Sequence, residues 1–189
     1  ENGHGYPIDY SQSVFWFKKA AEVGYPNGQH LLAHAYKVGL GVPSNKDFAL
    51  YWFRKAAEKG YTHSQYTLGQ LYEAGEILPR DFRQAARWFQ KAADQDHTDA
   101  QLKIGYCYYY GRGVKQDYGT AVHWLQKALE HCSETKAYYL LALCYHFGNG
   151  VTQDLKKAEY YFHMAADHGC QKSANTLEFC QACKCPKEM

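Results

Sequence analysis

The sequence predicts an all-α solenoid, on three observations. Trp16, Trp52, Trp88 and Trp124 recur at a spacing of 36, and Tyr161 follows at 37. Each is followed by an apolar residue and a near-constant ending: Phe17-Lys18-Lys19-Ala20-Ala21, Phe53-Arg54-Lys55-Ala56-Ala57, Phe89-Gln90-Lys91-Ala92-Ala93, Leu125-Gln126-Lys127-Ala128-Leu129 and Phe162-His163-Met164-Ala165-Ala166. Asp9, Asn45, Asp81, Asp117 and Asp154 precede these segments at one phase. Asp and Asn start helices because the side-chain oxygen accepts an orphan backbone N–H. A fixed period in this range is the signature of stacked repeats, each unable to bury its apolar face alone.

The expected elements run as follows. Residues 1–27 hold a partial repeat, with a turn at Gly3-His4-Gly5-Tyr6-Pro7 and a helix from Asp9 to Val23. Residues 28–63 form the first complete repeat. Gln29 to Val38 is its first helix, with Leu32, Ala33 and Tyr36 on one face, and Gly39-Leu40-Gly41-Val42-Pro43 is the turn. Asn45 to Lys59 is its second helix, stopped by Gly60, because glycine takes the left-handed conformation after a helix without a Cβ clash. Residues 64–99 repeat the pattern with Leu68-Gly69, Tyr72 and Gly75, but Ile77 replaces the second turn glycine. Residues 100–136 carry Ile104-Gly105, Tyr108, Gly111 and Gly113, and residues 137–172 carry Leu141-Ala142, Tyr145, Gly148 and Gly150. Residues 173–189 hold a capping helix from Ser173 to Cys183 and a tail; Glu178 and Gln181 make it polar, as a terminal repeat must be. Ser13, Ala49, Ala85, Ala121 and Ala158 form a column of small residues that predicts close helix approach. The tryptophan column, Trp88 above all, is expected between helices.

The unit A-x-x-x-L-G-x-x-Y-x-x-G-x-G-V-x-x-D-x-x-x-A-x-x-W-x-x-K-A-A-x-x-G resembles the Sel1-like repeat family of TPR-related α/α solenoid proteins. Here it reads Ala100, Ile104-Gly105, Tyr108, Gly111, Gly113-Val114, Asp117, Ala121, Trp124, Lys127-Ala128. Ile77 for a turn glycine, Leu129 for the second alanine and Met164 for lysine are local departures. The resemblance implies a right-handed superhelix of antiparallel helix pairs. It implies a scaffold or adaptor role in assemblies such as protein quality control, signalling and host–pathogen contact, and it does not imply an enzyme or a particular partner.

Composition narrows the function. The 21 basic and 19 acidic residues leave a formal charge of +2, so there is no general drive toward nucleic acid or anionic lipid. No apolar run approaches the roughly 18 residues of a spanning helix, and membrane insertion is not expected. Seven cysteines is an odd number, with none in the first two repeats, which points to reduced thiols in an intracellular, cytoplasmic protein. Glu1 falls in the middle of a repeat, so the sequence reads as a fragment or processed form whose targeting signals lie outside it.

Few residues carry chemistry. Lys19, Lys55, Lys91 and Lys127 make a basic column, but Glu22, Glu58, Asp94 and Glu130 follow each by three, a spacing at which opposite charges are helix neighbours. Cys107, Cys144 and Cys180 share a phase that Ala35 and Leu71 also occupy, so they read as core thiols. Cys180, Cys183 and Cys185 are the basis of the rival reading, a metal-binding or thiol-dependent protein; zinc asks for four ligands, and three are present. His30 and His34 have i, i+4 spacing but lack a third ligand and the glutamate of a hydrolytic motif. No catalytic residue, cofactor or metal is expected.

The remaining feature is the exposed side of the first helices, which in stacked helix pairs lines the concave surface. Removing the buried phases leaves His30, His34 and Lys37, then Tyr66, Gln70 and Glu73, then Leu102, Tyr106 and Tyr109, then Tyr139, Leu143 and His146, with Tyr110 and Phe147 at the rim. Tyrosine combines contact area, low rotamer cost and a hydroxyl, which suits protein recognition. The expected function is therefore a scaffold that binds a protein or peptide partner, or a second copy of the chain, on that face.

Overall fold

The computed structural model describes residues 10–182 as ten helices: α1 (Tyr10–Val23), α2 (Pro26–Val38), α3 (Lys46–Glu58), α4 (Thr62–Ala74), α5 (Phe82–Ala93), α6 (Thr98–Tyr110), α7 (Tyr118–Leu129), α8 (Thr135–Phe147), α9 (Leu155–Asp167) and α10 (Gln171–Ala182). No strand occurs among the described residues. The chain divides into two compact units, the first ending at Gln95 and the second starting at Asp96. In the first, α1 packs on α2, α2 on α3, α3 on α4 and α4 on α5; in the second, α6 packs on α7, α7 on α8, α8 on α9 and α9 on α10.

Local chemistry sets the helix ends. Asn45 Oδ1 accepts from the backbone N–H of Asp47 and Phe48 at 3.1 and 3.0 Å, and Asp81 Oδ1 does the same for Arg83 and Gln84 at 2.9 and 3.1 Å. Asp117 and Asp154 cap α7 and α9 in the same way. Asp9 lies outside the described residues. Gly39, Gly75, Gly111 and Gly148 close the first helix of each repeat in the left-handed conformation. Gly41, Gly113 and Gly150 repeat it two residues on, but Ile77 does not adopt it; its side chain packs instead against the Phe53 cluster. The first helix starts three residues earlier than expected, at Pro26, because proline at the first helical position is preset for the helix and lacks only an N–H that would be orphaned anyway.

The core corrects one expectation. The buried anchor is the residue after each tryptophan: Phe53, Phe89 and Leu125 are fully enclosed, and Phe162 nearly so. Trp88 and Trp52 are half-buried, Trp16 is 63% exposed, and of the four only Trp124 is buried. Each anchor lies against the small residue of its first helix. A Cβ on Gly69 would stand 2.5 Å from the Phe89 ring, and one on Gly105 would stand 2.9 Å from Leu125 Cδ2. Phe53 shares a cluster with Ala33, and Phe162 shares one with Ala142. The small column of the second helices is buried as expected at Ala49, Ala85, Ala121 and Ala158.

Polar side chains tie repeat to repeat. Gln29 Nε2 donates to Ala21 O and Gln65 Nε2 to Ala57 O, both at 3.2 Å, so a buried glutamine of one first helix holds the C-terminal end of the preceding second helix. His30 Nδ1 lies 2.9 Å from the fully buried Ser64 hydroxyl, and its ring packs against Phe53 and Tyr61. Burial, and then the neighbouring His63 and His34, lower the His30 pKa from 6.5 to about 4. In the second unit Asp96 takes the left-handed conformation (φ 61°) that Gly24, Gly60 and Gly169 take at the same phase, and its carboxylate pairs with Lys127 at 2.8 Å.

Two outcomes follow from this packing. Phe89→Ala lowers stability by about 3–5 kcal/mol, the range for emptying a buried aromatic site; Trp88→Ala lowers it by less, and an equal loss in urea denaturation of the two variants would show that the tryptophan is the anchor after all. His30 is held neutral in the fold, so the unfolded chain binds the extra proton first and stability drops as pH falls from 6.5 toward about 4. His30→Gln makes that limb of the stability–pH curve shallower, which melting temperatures measured across the window will show.

Candidate protein-binding site

The candidate face is built from the first helices of the repeats, within each unit separately. In the first unit, His34, Lys37 and Gln70 are exposed on α2 and α4. Tyr66 and Glu73 are half-buried, and the Tyr66 ring lies 5.8 Å from that of Phe89. His30 is a correction: its ring nitrogen is engaged by Ser64 and its faces by aromatic rings, so it joins two repeats. Among the described residues no three His, Cys, Asp or Glu are placed to hold a metal ion.

In the second unit, Leu102 is a further correction. It is 9% exposed, within the cluster of Leu125, Ala137, Leu140 and Leu141, because its phase on α6 faces the next repeat. Tyr106, Tyr109, Tyr139 and Leu143 are half-buried and pack against the same cluster, and His146 lies 6.3 Å from the Phe162 ring. Burial, then Cys144 and the neighbouring tyrosines, push the Tyr109 hydroxyl up to about 12; burial and the Glu134 carboxylate raise Tyr106 further still. Both hydroxyls therefore stay protonated and able to donate a hydrogen bond. The two rim residues are the open ones: Tyr110 is 41% exposed and Phe147 64%.

Sequence reasoning missed two cations on this surface. Lys136 Nζ stands 4.6 Å above the Tyr106 ring and 5.1 Å above that of Tyr110, and the Arg112 guanidinium lies 5.3 Å from Tyr110. Asn27, His63 and Asp99 occupy the phase of Lys136 in earlier repeats, so no periodic signal marked it.

The lysine column of the second helices is also arranged differently from expectation. No ammonium of this column lies within ion-pair distance of its i+3 carboxylate among the described residues. Lys91 and Lys127 cover the rings of Trp88 and Trp124, at 4.3 and 5.5 Å, while Lys19 and Lys55 cover Phe15 and Tyr51. An aromatic face one turn back attracts the ammonium and shields the ring from water. Cys107 and Cys144 are buried, and burial pushes the Cys144 thiol up to about 11, which makes it a poor nucleophile. The side chains of Cys180, Cys183 and Cys185 lie outside the described residues. No described helix is long and apolar enough to cross a membrane.

A family model described as the Sel1 repeat matches residues 1–25, 26–61, 62–97, 98–131 and 135–170. Several solved structures are similar, among them the following three. A protective antigen present in uropathogenic Escherichia coli strains, displaying an SLR fold, is 35% identical, with a TM-score of 0.82 over 99% of this chain and 40% of that one. A Sel1 repeat protein from Oxalobacter formigenes is 32% identical, with a TM-score of 0.76 over 93% of this chain and 51% of that one. Helicobacter pylori cysteine rich protein B is 29% identical, with a TM-score of 0.53 over 72% of this chain and 97% of that one. The chain thus spans about half or less of the first two. A comparison with curated proteins gave no match. Five matched repeats, ten helices in consecutive packed pairs and these neighbours agree: the chain belongs to the Sel1 repeat family.

Proposed function

We propose that this chain is a non-enzymatic scaffold that binds a protein or peptide partner on the exposed side of its first helices, with the strongest contacts on α6 and α8 of the second unit. Sel1 repeats are in general modules of protein interaction, which supports the class of function. The observation that carries the finer reading is the aromatic surface of the second unit. Tyr110 and Phe147 are exposed large rings, one on each first helix, beside the half-buried Tyr106, Tyr109 and Tyr139. Exposed aromatics over a rigid, half-buried base are the usual composition of an interface centre. The mechanism is presentation: the packed repeats hold the rings in place, so little entropy is lost on binding. Core thiols at Cys107 and Cys144 support a reducing, intracellular setting.

Tyr106 and Tyr109 pack against the core, so their removal would alter fold and binding together. Tyr110 and Phe147 give a cleaner test. With a partner recovered on the chain as bait, Tyr110→Ala and Phe147→Ala should each weaken binding by about 1–3 kcal/mol in titration calorimetry, with ellipticity unchanged. Tyr51→Ala on α3 should leave affinity intact. Binding lost with Tyr51→Ala and kept with the other two would move the interface to the second helices.

A further inference from the structure

We propose that the partner segment is an extended peptide that places an acidic side chain between Arg112 and Lys136, with an adjoining aromatic or aliphatic side chain on Tyr110. The inference rests on the scaffold reading above and specifies the chemistry of its ligand. Both cations converge on one ring, Lys136 Nζ at 5.1 Å and the Arg112 guanidinium at 5.3 Å from the Tyr110 centroid. Both side chains are exposed. Two other lysines of this unit already face carboxylates: Lys127 holds Asp96 at 2.8 Å, and Lys157 lies 4.0 Å from its own cap residue, Asp154. Neither Arg112 nor Lys136 has a carboxylate within ion-pair distance among the described residues. Glu134 bears on Tyr106; the charge bearing on Tyr110 is that of Arg112.

The physics favours an anion there. A cation on an aromatic face is already partly stripped of water, so its pairing with an incoming carboxylate costs less desolvation than that of a fully hydrated surface lysine. Arginine adds a planar fork that a carboxylate engages through two hydrogen bonds. The residue beside the acid on the peptide meets an exposed tyrosine ring, which supplies apolar contact. Both requirements fall on one short stretch of chain, which is why a peptide fits better than an isolated small anion. The chain's overall charge of +2 is too small to attract acidic partners at large, so selectivity comes from this local arrangement.

The test is selection of random peptides displayed on phage against the 189-residue chain and against the double variant Arg112→Glu/Lys136→Glu. Both proteins are first matched for ellipticity and melting temperature. The expected pool on the natural chain is enriched in Asp or Glu next to an aromatic or aliphatic residue, and the variant's pool carries Lys or Arg there instead. A synthetic peptide from the first pool should bind the variant at least about 10-fold more weakly, a loss of about 1.4 kcal/mol, and should weaken with salt. Pools without acidic enrichment, or equal affinity for both proteins, overturn the proposal. Peptides that lose binding with Tyr110→Ala/Phe147→Ala but tolerate the charge reversal overturn it while leaving the scaffold face standing. Peptides indifferent to both changes, or no enriched peptides at all, remove the face as well.

Discussion

The structure depends on a wedge that each second helix drives into its own first helix. Phe53, Phe89, Leu125 and Phe162 are the wedges; Ala33, Gly69, Gly105 and Ala142 are the notches. The contact is close enough that a Cβ on Gly69 would overlap the Phe89 ring. Glycine inside a helix costs about 1 kcal/mol relative to alanine. Complete enclosure of a phenylalanine side chain contributes about 1.5–3 kcal/mol, so the notch is favourable on balance. The caps at Asn45, Asp81, Asp117 and Asp154 and the left-handed glycines then fix where each helix begins and ends, which keeps wedge and notch in register.

Once the wedges fill the interior, the neighbouring phases are free for other work. Trp88 and Trp124 are held under the ammonium groups of Lys91 and Lys127. The glutamines at 29 and 65 reach the preceding repeat. Tyr106, Tyr109 and Tyr139 stand half in the core and half out, which gives the second unit a stiff aromatic surface. On the proposed function, stability and recognition use adjacent positions of the same helices. Tyr110 and Phe147 lie farthest toward solvent among the aromatics of α6 and α8, so they bury less of the core than their neighbours Tyr106, Tyr109 and Tyr139 do.

The repeat, the helices and their caps were legible in the sequence because each is written several times at one period. Orientation around the helix was less legible. Trp88 and Phe89 are neighbours, 100° apart on an ideal helix, and repetition marks both columns equally; only packing against the Gly69 notch selects Phe89. Leu102 was placed on the open side because single-helix periodicity does not register the next repeat, whose Ala137 and Leu140 share its cluster. His30 failed as an exposed histidine for a similar reason: Ser64, one repeat later, enclosed its ring nitrogen. Lys136 and Arg112 were invisible because neither belongs to a column.

The wedge is tested most directly by a double-mutant cycle between Gly69→Leu and Phe89→Ala, with stability read from urea denaturation followed by ellipticity. If the two residues are lock and key, Gly69→Leu is strongly destabilising alone and much less so once Phe89 is shortened, giving a coupling of about 1–3 kcal/mol. Additive effects, within about 0.5 kcal/mol, would contradict the account and place the organising contact elsewhere in the repeat.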